Sequence, residues 1–117
     1  MDMLCRVLML VKRTCTEFHH GDCIGADEEA HLIAARILGE ERIWIHPPRK
    51  KGKRAFCTSP HILPVDDYLP RNRSIVTMTD ALLAAPKSMT EEFRGSGTWM
   101  TIREAERQHK PCKKLER

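Results

Sequence analysis

Aromatic residues are scarce in this sequence, since phenylalanine, tryptophan and tyrosine together make up 5% of its 117 residues. Proteins that hold single-stranded nucleic acid commonly stack its bases on several aromatic side chains, so the scarcity weighs against that class. Long hydrophobic runs are missing too. No stretch approaches the roughly 18 apolar residues of a membrane span, and the N-terminus shows no signal-peptide cleavage pattern. The sequence therefore predicts a cytoplasmic protein without a membrane partner.

Paired cysteine motifs are also absent. The five cysteines are scattered along the chain and no two of them form a CxxC pair, the positions being Cys5, Cys15, Cys23, Cys57 and Cys112. An odd number without paired spacing indicates neither a disulfide framework nor a zinc knuckle. We expect ordinary reduced thiols.

What the chain does contain is enough for one domain with one core, with 41% hydrophobic and 31% charged residues. The formal net charge is +4, and the segment Arg49–Arg54 holds five of the 20 lysines and arginines. A second basic cluster covers 110–117. Such blocks are usually solvated loops, and binding of an anionic partner is the alternative.

Apolar patterning and connection lengths predict helices that alternate with short strands. Periodicity does not separate helix from strand in the first apolar run, and a helix is favoured there because only five residues separate Val11 from the next strand candidate, too few for a parallel crossover. Helices are expected over 2–13, over 26–38, over 70–79 and over 98–109, and strands over 17–19, 42–46, 81–85 and 112–115. The proline-rich basic segment 47–67 is expected to be a surface loop. Alternating strands and helices predict an α/β fold with a parallel sheet, and ligands bind such sheets beyond the carboxyl ends of the strands.

Two glycines separated by one residue, Gly95 and Gly97, lead directly into the last predicted helix. A strand, a glycine turn and a helix start direct free backbone N–H groups at one point, which favours an anion such as phosphate. Thr98 can cap the helix or bind the same anion. A tight turn with a threonine cap and no ligand fits the pattern equally well.

A second glycine loop, 20–26, follows the first predicted strand and would open on the same edge of the sheet. His19 and His20 are neighbours there, but consecutive strand residues point to opposite faces. They should therefore not share a metal, and no metal site or cofactor is predicted. Cys23 begins a helix, but no base is placed to activate it.

Four segments occur in the same order as in a known group of proteins: His20–Asp27, Arg71-Asn72, Asp80-Ala81 and Gly95–Trp99. Together they resemble the SLOG superfamily, most of all its YspA-type branch. This superfamily of Rossmann-like domains includes the DNA-processing protein DprA and the "lonely guy" cytokinin-activating phosphoribohydrolases. The resemblance implies a Rossmann-like three-layer α/β sandwich with a mostly parallel sheet, formed by one domain over 1–117.

The resemblance also implies a small-molecule, nucleotide-type ligand whose phosphate lies on the Gly95–Thr98 turn. Arg71 stands where the lonely-guy enzymes carry a functional arginine, nine residues before the aspartate matched by Asp80. The implied ligand-binding residues are His20, Gly21, Asp22, Arg71, Asn72, Gly95, Ser96, Gly97 and Thr98.

Two departures from the family pattern concern activity and completeness. The hydrolase motif has acids where this chain has Met100 and Thr101, and neither side chain can act as a carboxylate in cleaving a sugar–base bond. No catalytic residue is therefore predicted. Family members also open with a strand and a glycine turn, whereas segment 2–13 matches the helix that follows them, so a central strand is expected to be missing.

Three functions fit these features. The first is a nucleotide-type ligand-binding domain without catalysis, the second a phosphoribohydrolase acting on nucleoside monophosphates, and the third a DprA-like binder of single-stranded nucleic acid. Missing acids argue against the second and missing aromatic side chains against the third. The sequence therefore favours the first, and it leaves a homo-oligomer open.

Overall fold

The computed structural model describes residues 2–86 and 97–116. Within these ranges lie four α-helices and five strands. In chain order they are α1 (Asp2–Val11), β1 (Phe18–His20), α2 (Ala26–Ile37), β2 (Ile43–Ile45), β3 (His61–Ile62), α3 (Tyr68–Met78), β4 (Leu82–Ala84), α4 (Gly97–Arg107) and β5 (Cys112–Lys114). Short 3₁₀ turns cover Glu40–Arg42 and Lys51–Lys53.

All strand pairs in these ranges are parallel. One sheet has the order β1-β2-β3, and a second sheet joins β4 to β5. Helices alternate with these strands along the chain, which confirms the predicted α/β, Rossmann-like class. The described strands form two sheets, whereas the sequence suggested one.

Strand β3 corrects the interpretation of 47–67 as one long loop. His61 and Ile62 pair in parallel with Trp44 and Ile45 of β2. Two residues are too short a run to give an alternating pattern, and the prolines on either side indicate a loop. Strand β3 therefore forms because it pairs with the neighbouring strand β2, and its own sequence carries no strand signal.

One apolar core joins both sheets. Leu4 and Leu8 lie four residues apart on α1, so they share a face. That face packs with Ile43 and Ile45 of β2 and with Leu115, which follows β5. A second cluster contains Ala84, Trp99 and Ile102. Trp99 is 5% exposed and belongs to this second cluster.

None of the helices in the described ranges has the length and the apolar content needed to cross a membrane. All five cysteines lie in these ranges, and all are free thiols.

Candidate functional site

Arg71 brings the ends of two strands together. It lies on α3 and is 7% exposed. Its Nη1 donates a hydrogen bond to the carbonyl of Gly21, directly after β1, and a longer one of 3.4 Å to the carbonyl of His46, directly after β2. The guanidinium therefore lies at the carboxyl edge of the parallel sheet, where α/β proteins bind ligands.

Arg71 forms no ion pair within 4 Å of its guanidinium in the described ranges, although the Asp27 carboxylate lies nearby on the same side of Gly21. Besides the two carbonyls, both Nη atoms contact the Cys23 sulfur at 3.7 Å, and the ring centre of Tyr68 lies 5.2 Å from the guanidinium carbon. Its Nε is buried and has no hydrogen-bond partner there. A guanidinium has five donors, and a buried charge is stable only when it is paired. An anion at this edge would supply an acceptor for Nε.

Gly21 is glycine because the guanidinium approaches it closely. A Cβ atom on Gly21 would overlap Arg71 Nη1, and it would lie 2.8 Å from the guanidinium carbon and 3.1 Å from Asp27 Oδ2. A side chain at this position therefore has to displace the guanidinium, and glycine is the residue that permits so close an approach. Asp27, in the first turn of α2, accepts a hydrogen bond from the Cys23 amide and closes this loop.

Asn72 connects the same region to the start of α4. It is 7% exposed, and its Nδ2 is a distant 3.5 Å from the Gly97 carbonyl. Gly97 begins α4 and Thr98 follows it, half-buried. The structure thus brings Gly97 and Thr98 next to the arginine's helix, whereas Gly95 and Ser96 lie outside the described residues.

Both carboxylate oxygens of Asp22 accept hydrogen bonds from the segment 54–57. Oδ2 accepts from Arg54 Nε at 3.0 Å and Oδ1 from the Cys57 amide at 2.9 Å. Its carbonyl accepts from the Ala55 amide, and its φ is +54°. Asp22 is fully buried and holds the segment 54–57 against the first glycine loop.

His20 forms a hydrogen-bonded pair with His31 of α2. The Asp22 amide donates to His20 Nδ1 at 3.0 Å, so the proton of the neutral ring is on Nε2, which donates to His31 Nδ1 at 3.0 Å. Burial, above all, lowers the pKa of His20 to about 4. His20 is therefore neutral near pH 7.

Cys57 lies beside this pair. His20, His31 and Cys57 each offer one atom that could bind a metal, and these three atoms lie within 4.8 Å of one another. Two nitrogens and a sulfur are ligands that suit zinc. A metal here would have to displace the proton between the two rings. Burial, followed by Asp22, raises the pKa of the Cys57 thiol to about 12, so that thiol also keeps its proton. His20 is thus a neutral ring hydrogen-bonded to His31, and Cys57 is a thiol beside them. Sequence spacing did not reveal that these three side chains meet.

His19 faces the other side of β1 and has different partners, as alternation along a strand predicts. Its Nε2 lies 2.8 Å from Glu17 Oε1, and its Nδ1 lies 2.8 Å from His46 Nε2. His46 was not singled out by the sequence. Its only signal was its position directly after β2, which places it on the same edge as Gly21.

The fold and this edge define an α/β domain with a buried arginine side chain, Arg71, at the carboxyl ends of parallel strands. No protein-family model matches the chain, and no curated protein does so either. Among solved structures, the chain is similar to a "putative molybdenum carrier protein" from Syntrophus aciditrophicus SB, with a TM-score of 0.61 and 23% identity. The match covers 86% of this chain and 63% of that protein, and at this identity it shows the fold alone.

Proposed function

We propose that this chain is a SLOG-type domain of the YspA-like branch that binds a nucleotide or a nucleotide-derived ligand without catalysis. The ligand's phosphate lies on the 95–98 turn and pairs with Arg71. The observation that supports this most is the buried guanidinium at the carboxyl edge, with an Nε that no described residue accepts from.

The chemistry of this edge is suited to a tetrahedral oxyanion. A guanidinium offers planar paired donors that match phosphate, and Gly97 supplies a helix N-terminus on the neighbouring element. The similar structure is named a "putative molybdenum carrier protein", and molybdenum in water at neutral pH is the tetrahedral oxyanion molybdate. Phosphate and molybdate make the same demands on a guanidinium, and the family resemblance supports a phosphate-bearing anion here.

Phosphoribohydrolase activity has less support. Met100 and Thr101 occupy the positions of the acids, and the nearest substitute is Glu104, one turn further along α4. Glu104 accepts from Gln108 at 2.8 Å and from Arg107, and these hydrogen bonds hold the pKa of its carboxyl below the usual range. A carboxylate that is ionised and already bonded is a poor proton donor.

Arg71→Ala should remove ligand binding. Calorimetry and thermal unfolding with AMP, ADP-ribose and NAD measure this, because a ligand that binds the native state raises its apparent stability. Hydrogen bonds to a charged group contribute about 1.5–3 kcal/mol, so affinity should fall at least about tenfold. Gly97→Leu should act similarly, because a Cβ at this position would already lie 4.0 Å from Asn72 Nδ2 and the longer side chain would fill the space between them.

Arg73→Ala is the matched control. Arg73 is on the same helix, but its side chain is 62% exposed and interacts with Glu104. The same charge is thus removed outside the site. Equal affinity losses in the Arg71 and Arg73 variants would contradict a specific anion site and leave only a general charge effect.

Nucleic-acid binding is the second candidate, and one contact favours it. Phe56 is 56% exposed, and the Arg54 guanidinium lies 4.6 Å from its ring centre, beside the exposed lysines 50, 51 and 53. One aromatic ring gives little stacking, and binding by charge alone weakens steeply with salt. We expect single-stranded DNA to bind weakly at low salt and undetectably at physiological ionic strength.

Fluorescence anisotropy at two salt concentrations measures this, and Lys50, Lys51 and Lys53 can be changed to alanine together. Arg54 should stay, because it is bonded to Asp22. Micromolar binding at physiological salt that the triple variant loses would make the nucleic-acid function the better interpretation.

A further inference from the structure

A chain of three side chains leads from the surface to the carboxyl edge of β2. Glu17 is at the outer end with a side chain 46% exposed, and the His19 side chain is fully buried between Glu17 and His46. The two contacts are both 2.8 Å. The His19 ring also stacks on Trp44, with 5.6 Å between ring centres and 7° between planes. Stacking and both hydrogen bonds fix the orientation of His19.

The hydrogen bonds determine where the protons lie. A carboxylate can only accept, so His19 Nε2 donates to Glu17. When the His19 ring is neutral, its one N–H is on Nε2, so His19 Nδ1 accepts and His46 Nε2 is its donor. His46 Nδ1 is then left with a lone pair. Among the described residues, the His46 ring forms its hydrogen bond with His19.

His46 stays neutral near pH 7. Burial, followed by the neighbouring His19, lowers its pKa to about 4. The residue is 3% exposed, and its carbonyl accepts from Arg71. One edge of the sheet thus carries a guanidinium whose Nε has no acceptor among the described residues and, with the protons placed as above, an imidazole nitrogen with a free lone pair.

We propose that His46 is a specificity-determining residue: its Nδ1 accepts a hydrogen bond from the ligand, while Glu17 and His19 are positioning residues that keep this nitrogen unprotonated. This rests on the proposed function, which it deepens. The ligand class becomes phosphate-bearing molecules that also present a hydroxyl or amino donor. A site built to bond a donor discriminates against an analogue without one.

Inorganic phosphate and molybdate test this, because both are small tetrahedral anions. Near neutral pH phosphate keeps at least one O–H group, whereas molybdate has none. One neutral hydrogen bond contributes about 1 kcal/mol, which corresponds to about fivefold in affinity. The wild-type protein should therefore bind phosphate about fivefold more tightly than molybdate in calorimetric titrations.

Glu17→Lys removes the acceptor at the outer end of the chain, because an ammonium only donates. His19 Nε2 is then free to accept, so the direction of the hydrogen bonds between His19 and His46 can reverse. The ratio of the affinities for phosphate and molybdate should then fall towards one. Glu40→Lys is the control with the same change of charge. Its carboxylate, 51% exposed, lies 3.9 Å from His31 on the other face of β1. This variant should keep the wild-type preference.

Nitrogen NMR of the histidine rings in the ligand-free protein gives a readout independent of any ligand. We expect the His46 proton on Nε2 in the wild type and in Glu40→Lys, and a shift towards Nδ1 in Glu17→Lys. A proton on Nδ1 in the wild type, or equal affinity for both anions, overturns this proposal and leaves anion binding intact. No response of the wild type to either anion overturns the proposed function as well.

Discussion

Replacing Asp22 with alanine is expected to lower the free energy of unfolding by about 3–5 kcal/mol, the usual cost of breaking a buried ion pair. Asp22 is fully buried, and its carboxylate accepts from the Arg54 guanidinium and the Cys57 amide. The substitution leaves both donors without a partner. It also places alanine at a φ of +54°, which favours glycine, asparagine or aspartate. Denaturant unfolding followed by circular dichroism measures the change.

Two further variants separate the causes. Asp22→Asn keeps an acceptor for the Cys57 amide and tolerates the positive φ, so it should cost less than alanine. Asp22→Gly removes the backbone strain of the positive φ but restores none of the lost hydrogen bonds. The glycine variant should therefore be about 1 kcal/mol more stable than the alanine variant. A loss below about 1 kcal/mol for alanine would mean that the carboxylate does not hold the segment 54–57.

The sequence predicted the fold well where the signal was local. The short connection after Val11 indicated α1, the apolar run around Leu83 indicated β4, and both elements formed. Strand β3 was missed because two residues carry no period. Its position depends on pairing with β2, a contact between residues 17 positions apart that no local pattern encodes.

The site could be predicted only in part for a similar reason. Family resemblance selected Arg71, and the structure places it at the sheet edge near Gly21. Resemblance also selected Asp22, but the partners of its carboxylate, Arg54 and Cys57, come from a segment that looked like a free loop. His46 carried no motif at all. Its interest comes from hydrogen bonds across strands, which depend on the register of β1 with β2.

Gly21→Ala is expected to weaken ligand binding strongly while leaving the fold intact. The new methyl group would overlap Arg71 Nη1 and would lie 2.8 Å from the guanidinium carbon. The backbone of Gly21 needs no positive φ, so alanine fits the chain itself. The guanidinium is the end of a flexible side chain and moves instead, which breaks its bond to the Gly21 carbonyl and takes it out of the position where we propose that it meets the ligand.

Affinity for AMP or phosphate should therefore fall about tenfold or more, because hydrogen bonds to a charged group contribute about 1.5–3 kcal/mol. Calorimetry gives the affinity, and thermal unfolding shows whether the transition stays cooperative. Gly52→Ala is the control, since a methyl group there meets nothing within 4 Å. An unchanged affinity in Gly21→Ala would show that the position of the Arg71 guanidinium does not matter for binding, and the proposed anion site would then have lost its main support. The double variant Gly21→Ala/Arg71→Ala tests whether the methyl group acts through the arginine. We expect it to bind no more weakly than Gly21→Ala alone, because the two residues are in close contact and their effects should not add.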